Sequence, residues 1–149
     1  MKESNSYKGR YRVKNPIKYK GDHTNVIYRS SWELKCMNYF DLNENIESWS
    51  NEELIIPYVS PIDGKVHRYF PDFLVKFNKN GEVKTWLIEV KPKKYTIQPE
   101  MNPKKRTTAW VQKVVEWSKN QAKWEAARKY CDQQGWEFVI FTEDNIYGK

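Results

Sequence analysis

Apolar positions along the chain change period several times, and each change marks an element. In "YRSSWELKCMNYFDLNEN", Trp32, Cys36, Tyr39 and Phe40 recur at helical spacing. Ser30 or Ser31 is a candidate N-cap, and Glu33 in the first turn suits the helix dipole. From Ile46 the pattern becomes that of extended chain. "ELIIPYVSP" predicts a first strand, with Pro57 pointing to an edge or a bulge. The Asp-Gly turn of "IDGK" leads into a second strand, "VHRYFPDFLVKF", and "NKNG" leads into a third, "EVKTWLIEVKP". Short turns between these strands predict an antiparallel meander. "PKKYTIQPEMNP", punctuated by Pro92, Pro99 and Pro103, is expected as a loop. A helix is predicted from about Lys104 to Gln134, broken at 118–120, with Trp124, Ala127 and Cys131 on its apolar stripe. Gly135 suits a C-terminal stop, and "WEFVIFTED" predicts a short buried strand. The order helix, three-strand meander, helix, strand predicts an α/β domain with a mixed central sheet and helices packed against it.

Residues 1–28 break from this patterning. They are polar, rich in Lys, Arg and Tyr, and follow no sustained period. They are expected as a basic N-terminal arm ahead of a folded domain spanning 29–149. Cations alternating with tyrosines favour a contact with DNA backbone over a solvated tail.

Composition narrows the class. A chain of 149 residues suits one hydrophobic core, and 39% hydrophobic with 15% aromatic residues excludes general disorder. Lys and Arg number 26 against 19 Asp and Glu, a net charge of +7. Such a protein attracts polyanions, of which nucleic acid is the commonest, although a solubilising lysine face accounts for the charge equally well. Cys36 and Cys131 lie far apart without CxxC or Cys/His spacing, which argues against structural zinc and for two buried thiols. No apolar run could serve as a signal peptide or a membrane span, so a soluble intracellular protein is expected.

One stretch carries chemistry. In "WLIEVKPKK", Glu89 and Lys91 are two apart on a strand and share a face, with Cα atoms about 6.6 Å apart. The preceding strand holds Pro71 and Asp72 inside "YFPDFLVKF", and a short turn can bring Asp72 beside Glu89. Adjacent carboxylates repel, and burying them is costly. Either one is protonated or a cation lies between them. Lys91 neutralises one charge but not both. A divalent ion resolves the conflict, and hard oxygen ligands select magnesium or manganese over zinc. The structural alternative is an acid–lysine cluster at a solvated sheet edge.

The order Glu33, Pro71-Asp72, Glu89-Val90-Lys91 resembles the PD-(D/E)xK nuclease superfamily, whose restriction-endonuclease-like core has the same element order. "YRSSWE", "RYFPDFLV", "IEVKPKK", "NQAKWEAARKY" and "FTED" are similar to the head-completion nucleases of large contractile-tailed phages. Those nucleases are themselves similar to the endonuclease subunit of heteromeric Tn7-like transposases. The resemblance implies Asp72 as central metal ligand, Glu89 as second acidic ligand, and the Val90 carbonyl completing the site. It implies Lys91 as the group serving the attacking water and the developing phosphorane charge, with Glu33 completing the acidic cluster. It further implies Mg2+ as cofactor with Mn2+ substituting, double-stranded DNA as substrate, portal or neck proteins as partners, and action in the host cytoplasm or the virion.

Arg29, His67, Arg68, Lys93, Lys94, Lys104, Lys105 and Arg106 surround this motif in sequence and are candidate phosphate contacts. Asn120 and Lys123, in the family's variable helix, are candidate DNA contacts. His67 as a general base is less favoured than His67 as a DNA contact or a surface histidine, because a lysine already occupies the expected place. Two other readings stay open: a strand-cutting subunit of transposase or repair type, and a DNA-binding neck protein that no longer cuts.

Overall fold

The structure is a computed structural model that describes residues 8–147. Strands β1 (Gly9–Tyr11) and β2 (Val26–Tyr28) form an antiparallel ribbon, with a 3-10 turn at Pro16–Lys18 between them. Helix α1 (Ser31–Leu42) follows, then β3 (Ile46–Asn51). A separate two-stranded hairpin comes next, β4 (Ile56–Val59) and β5 (Val66–Tyr69). The chain then adds β6 (Phe73–Lys79), β7 (Glu82–Val90), a 3-10 turn at Lys93–Thr96, the long helix α2 (Thr108–Gln134), β8 (Glu137–Phe141) and the short α3 (Glu143–Ile146). The central sheet has four strands in the order β3-β6-β7-β8, with β8 parallel to β7 and the others antiparallel. The α/β class with a mixed sheet is the one the sequence predicts.

Strand alternation sends the two faces of the sheet to two cores. Phe73, Val75, Ile88 and Val90 pack with Trp32, Cys36, Met37 and Phe40 of α1. Leu87 packs with Trp124, Ala127 and Cys131 of α2 and with Ile56, Tyr58 and Tyr69 of the hairpin. Glu89 shares the parity of Leu87 and therefore faces the α2 side. Ser30 caps α1 by accepting the Glu33 amide, and Gly135 ends α2 in the left-handed region at φ 75°. Asn80 and Gly81, both at positive φ, close the β6–β7 hairpin in two residues and fix Lys79 opposite Glu82.

Several expectations need correction. The first strand of the meander is Ile46–Asn51, while "ELIIPYVSP" and "VHRY" pair with each other as an insertion. The long second strand is interrupted at Phe70–Asp72, because Pro71 has no amide to donate and the Asp72 carboxylate takes the Val90 amide. Helix α2 starts at Thr108, capped by the Thr107 hydroxyl, and runs unbroken through 118–120. Tyr39 is exposed, and Met37 fills the position facing the core. Strand β8 is half-buried because it forms a sheet edge. The described part of the N-terminal segment is not an arm: Tyr11, Tyr19 and Val26 are buried in the α1-side core. Only residues 1–7 of that expected arm lie outside the described residues. Cys36 and Cys131 are buried free thiols, as expected.

Candidate active site

At one end of the sheet lies a cavity of about 390 Å³, walled by α1, the β6 entry, the β7 exit and the middle of α2. Each wall contributes a side chain for a local reason. The N-cap at Ser30 turns the first helical residues inward, so Glu33 is 7% exposed and accepts the Arg29 amide at 3.1 Å. The break after Pro71 leaves Asp72 at the mouth of β6, where its Oδ2 accepts the Val90 amide at 2.7 Å. Glu89, 8% exposed, accepts the Tyr69 hydroxyl at 2.6 Å and lies 3.7 Å from the Lys91 ammonium. The predicted shared face of Glu89 and Lys91 is thus an ion pair across the alternation of β7.

A third acid joins this set. Glu33, Glu52 and Asp72 each bring one carboxylate oxygen within 4.8 Å of the others. Glu52 follows β3 in a left-handed conformation at φ 55°, with its amide bound to the Asp72 carbonyl. Its carboxylate accepts two hydrogen bonds from the Arg29 guanidinium, at 3.0 and 3.1 Å. The sequence reading missed Glu52 because the first strand was drawn too late. An acid pair directly after "IESWSN" was the available signal. Tyr69 was missed too; it is the buried end of a hairpin strand three residues before Asp72.

The electrostatics of the cavity are unfavourable to its own charges. Burial pushes the Glu33 carboxyl up to about 7, with Glu52 adding to the shift. Asp72 is held well above the carboxylate range by burial, then by Glu89 and Glu33. Glu89 is raised by burial despite Lys91 and Tyr69. Tyr69 is pushed far up by burial and by Glu89, so it stays a donor. A group of oxygen ligands with excess negative charge fits a hard divalent cation. Glu33, Glu52 and Asp72 could hold one, and Val90 and Glu89 line the same cavity.

Helix α2 supplies polar groups opposite these acids. Asn120 is 3% exposed and lines the cavity, and its side-chain amide has no hydrogen-bond partner among the described residues. Lys123 is half-buried against the rings of Tyr58 and Tyr69, its pKa lowered by burial while Glu89 opposes the shift. The other predicted cations are already paired or lie outside the cavity. Arg29 is on the wall but paired with Glu52. His67 is paired with Asp63 at 2.8 Å, and Arg68 lies over the Phe70 ring, both on the hairpin. The Lys93 amide donates to Glu143, its ammonium lies 3.4 Å from Asp144, and Lys94 covers the Tyr95 ring. Lys104, Lys105 and Arg106 precede α2 in an exposed loop, with Arg106 over Trp110.

Residues 43–143 match the family described as TnsA-like endonuclease N terminal. The head completion nuclease of Enterobacteria phage T4 is 38% identical over 145 residues, which cover 95% of this chain and 94% of that protein.

Proposed function

The chain belongs to the TnsA-like endonuclease N-terminal family, and from that premise we propose that it is a divalent-metal-dependent DNA nuclease of phage head completion. The observation that carries this reading is the meeting of Glu33, Glu52 and Asp72 in one cavity with the Glu89–Lys91 pair. Isolated buried carboxylates of this kind destabilise a fold, so their grouping calls for a cation.

Mg2+, or Mn2+ in its place, would be held by Glu33, Glu52 and Asp72, with Glu89 and the Val90 carbonyl as further ligands. That ion would neutralise the scissile phosphate and activate the attacking water. The remaining work falls to the chain itself. Lys91 presents an ammonium, oriented by Glu89, that positions water and offsets the negative charge developing on phosphorus. Tyr69 fixes Glu89 by donating to it and does not exchange protons. Asn120 offers an unspent amide to a phosphate oxygen, and Lys123 adds positive charge beside Glu89. Lys93, Lys94, Lys104, Lys105 and Arg106, on the chain between β7 and α2, hold the DNA backbone outside the cavity, with Arg29, His67 and Arg68 on the flanks. Hydrolysis in the host cytoplasm would finish packaged DNA at a filled head, beside portal or neck proteins.

Cleavage of linear and circular duplex DNA with Mg2+, Mn2+ or EDTA tests the reading. The expected result is metal-dependent cutting, lost in Asp72→Ala and Lys91→Ala proteins that keep their circular dichroism. A folded wild type that binds DNA but cuts neither substrate with either metal would sink it and leave a DNA-binding neck protein.

A further inference from the structure

A second recess, of about 430 Å³, lies on the N-terminal ribbon and is lined by Arg10, Tyr11, Arg12, Val13, His23 and Thr24. We propose that this ribbon is a separate phosphate-binding track, in which Arg10 and Arg12 hold successive backbone phosphates of duplex DNA leading to the catalytic cavity. The proposal rests on DNA being the substrate, and deepens that reading by assigning a binding surface away from the acids.

Pairing separates these two arginines from the rest. Arg29 is bound to Glu52, while Arg68, Arg106 and Arg128 each lie over an aromatic ring. The side chains of Arg10 and Arg12 make no hydrogen bond, ion pair or ring contact among the described residues, and both residues are exposed. The acidic group nearby is Asp22, whose carboxylate feels Arg10 and His23 but is already occupied by the Thr24 amide and hydroxyl. Two unspent guanidinium forks on one face suit phosphate oxygens, which they can grip bidentately.

Geometry supplies the track. Arg10 lies in β1 and Arg12 just past its end; both are exposed while Tyr11 and Val13 pack at the core, so the two cations turn to the same outer side, about 6.6 Å apart if the strand spacing carries on by one residue. That step is of the same order as the spacing of successive phosphates along one strand. Arg10 is opposite Ile27, and β2 runs on from there to Arg29 and Ser30 in the cavity wall. The ribbon is also rigid. The Tyr11 hydroxyl and the amides of Lys14 and Asn15 all donate to the buried Asp41, at 2.6, 2.8 and 3.0 Å. A cationic edge already held in place loses little entropy when it binds.

The test is the salt dependence of duplex binding, read by fluorescence anisotropy in EDTA so that nothing is cut. Replacing both groups, Arg10→Ala with Arg12→Ala, should lower the slope of log K against log salt by about 2, because two phosphate contacts are lost. At about 0.1 M salt the affinity should fall at least ten-fold. Arg10→Lys with Arg12→Lys should keep most of the slope. Lys79→Ala with Lys129→Ala, exposed cations on other surfaces, should change it little. A wild-type slope in the double alanine variant overturns the proposal, as does an equal loss in the Lys79/Lys129 control or no duplex binding by wild type. Cleavage with Mg2+ keeps the two readings apart: raised KM with unchanged kcat supports the track. If wild type cuts while the double variant keeps the wild-type slope, the track fails alone. If wild type binds without cutting, the nuclease reading fails and the slope still decides the track.

Discussion

Asp41 and Asp72 are both aspartates withdrawn from solvent in the same small domain, and the protein treats them in opposite ways. Asp41 is fully buried and fully served. Burial works against its charge, but the Tyr11 hydroxyl and the amides of Lys14 and Asn15 outweigh that and hold its pKa below the ordinary value. Its backbone carbonyl accepts from Asn15 and Lys18 as well, which locks the N-terminal segment onto α1. Asp72 receives one amide hydrogen bond and faces two other carboxylates in its cluster. Burial, then the Glu89 and Glu33 carboxylates, drive its pKa up. Burial alone therefore does not mark a functional acid; burial without enough donors does.

The contrast can be broken most sharply by substitution at the two sites. In Asp72→Asn, Mg2+-dependent DNA cleavage should fall by at least about 100-fold while the protein remains folded. In Asp41→Asn, cleavage per folded molecule should stay within about two-fold of wild type. Equal losses of specific activity in both would erase the distinction.

Stability should respond in the reverse order. Asp41→Asn removes the charge that several donors converge on, at a cost of about 3 kcal/mol, or roughly 6–12 °C in Tm for a chain of this size. Asp72→Asn in EDTA should instead raise Tm by a few degrees at pH 8, because a repelled carboxylate is lost. A calorimetric scan of both variants decides this, and a lower Tm for Asp72→Asn would contradict the picture of an underserved acid.

The same opposition should be visible in pH. Glu33 titrates near 7 when folded against 4.5 for an ordinary glutamate, so between those values the folded protein binds more protons than the unfolded chain. Stability of the metal-free protein should therefore fall as pH rises from about 5 to 8, by roughly 1–3 kcal/mol. Asp41 acts the other way: its contribution is present above the unfolded aspartate value and is lost as pH falls through its lowered folded value. Urea denaturation in EDTA across pH should show both slopes, and Mg2+ should recover the loss at pH 8.

Glu52 gives the smallest and most local effect. Glu52→Gln should weaken Mg2+ binding by about ten-fold, read from the rise of Tm with metal concentration, and leave the metal-free fold near wild type. An unchanged Mg2+ titration would remove Glu52 from the ligand set.

Only the Asp72 side of this contrast was legible in the chain; nothing in the sequence pattern singled out Asp41. The Asp72, Glu89 and Lys91 set could be read because strand periodicity and one tight turn fix the register locally. Asn80-Gly81 dictates the β6–β7 hairpin, and Phe73 opposite Ile88 then brings Asp72 level with Glu89. Ser30 capping Glu33 was equally local. The N-terminal ribbon was misread because its buried positions, Tyr11, Tyr19 and Val26, are spaced irregularly, and a lone tyrosine among cations carries no period. Glu52 was missed because its role depends on β3 pairing with β6 across the inserted hairpin, a contact that neither segment announces.

The sequence by itself determined the α/β class, the existence of the two longer helices, the β6–β7 turn and the acid–lysine strand, since each follows from periodicity, capping or turn chemistry within a few residues. Tertiary structure alone decided which acids meet, which cations are already paired, and that Arg10 and Arg12 are not. Those outcomes depend on groups brought together from distant parts of the chain, where burial and neighbouring charge, not residue type, set what a side chain can do.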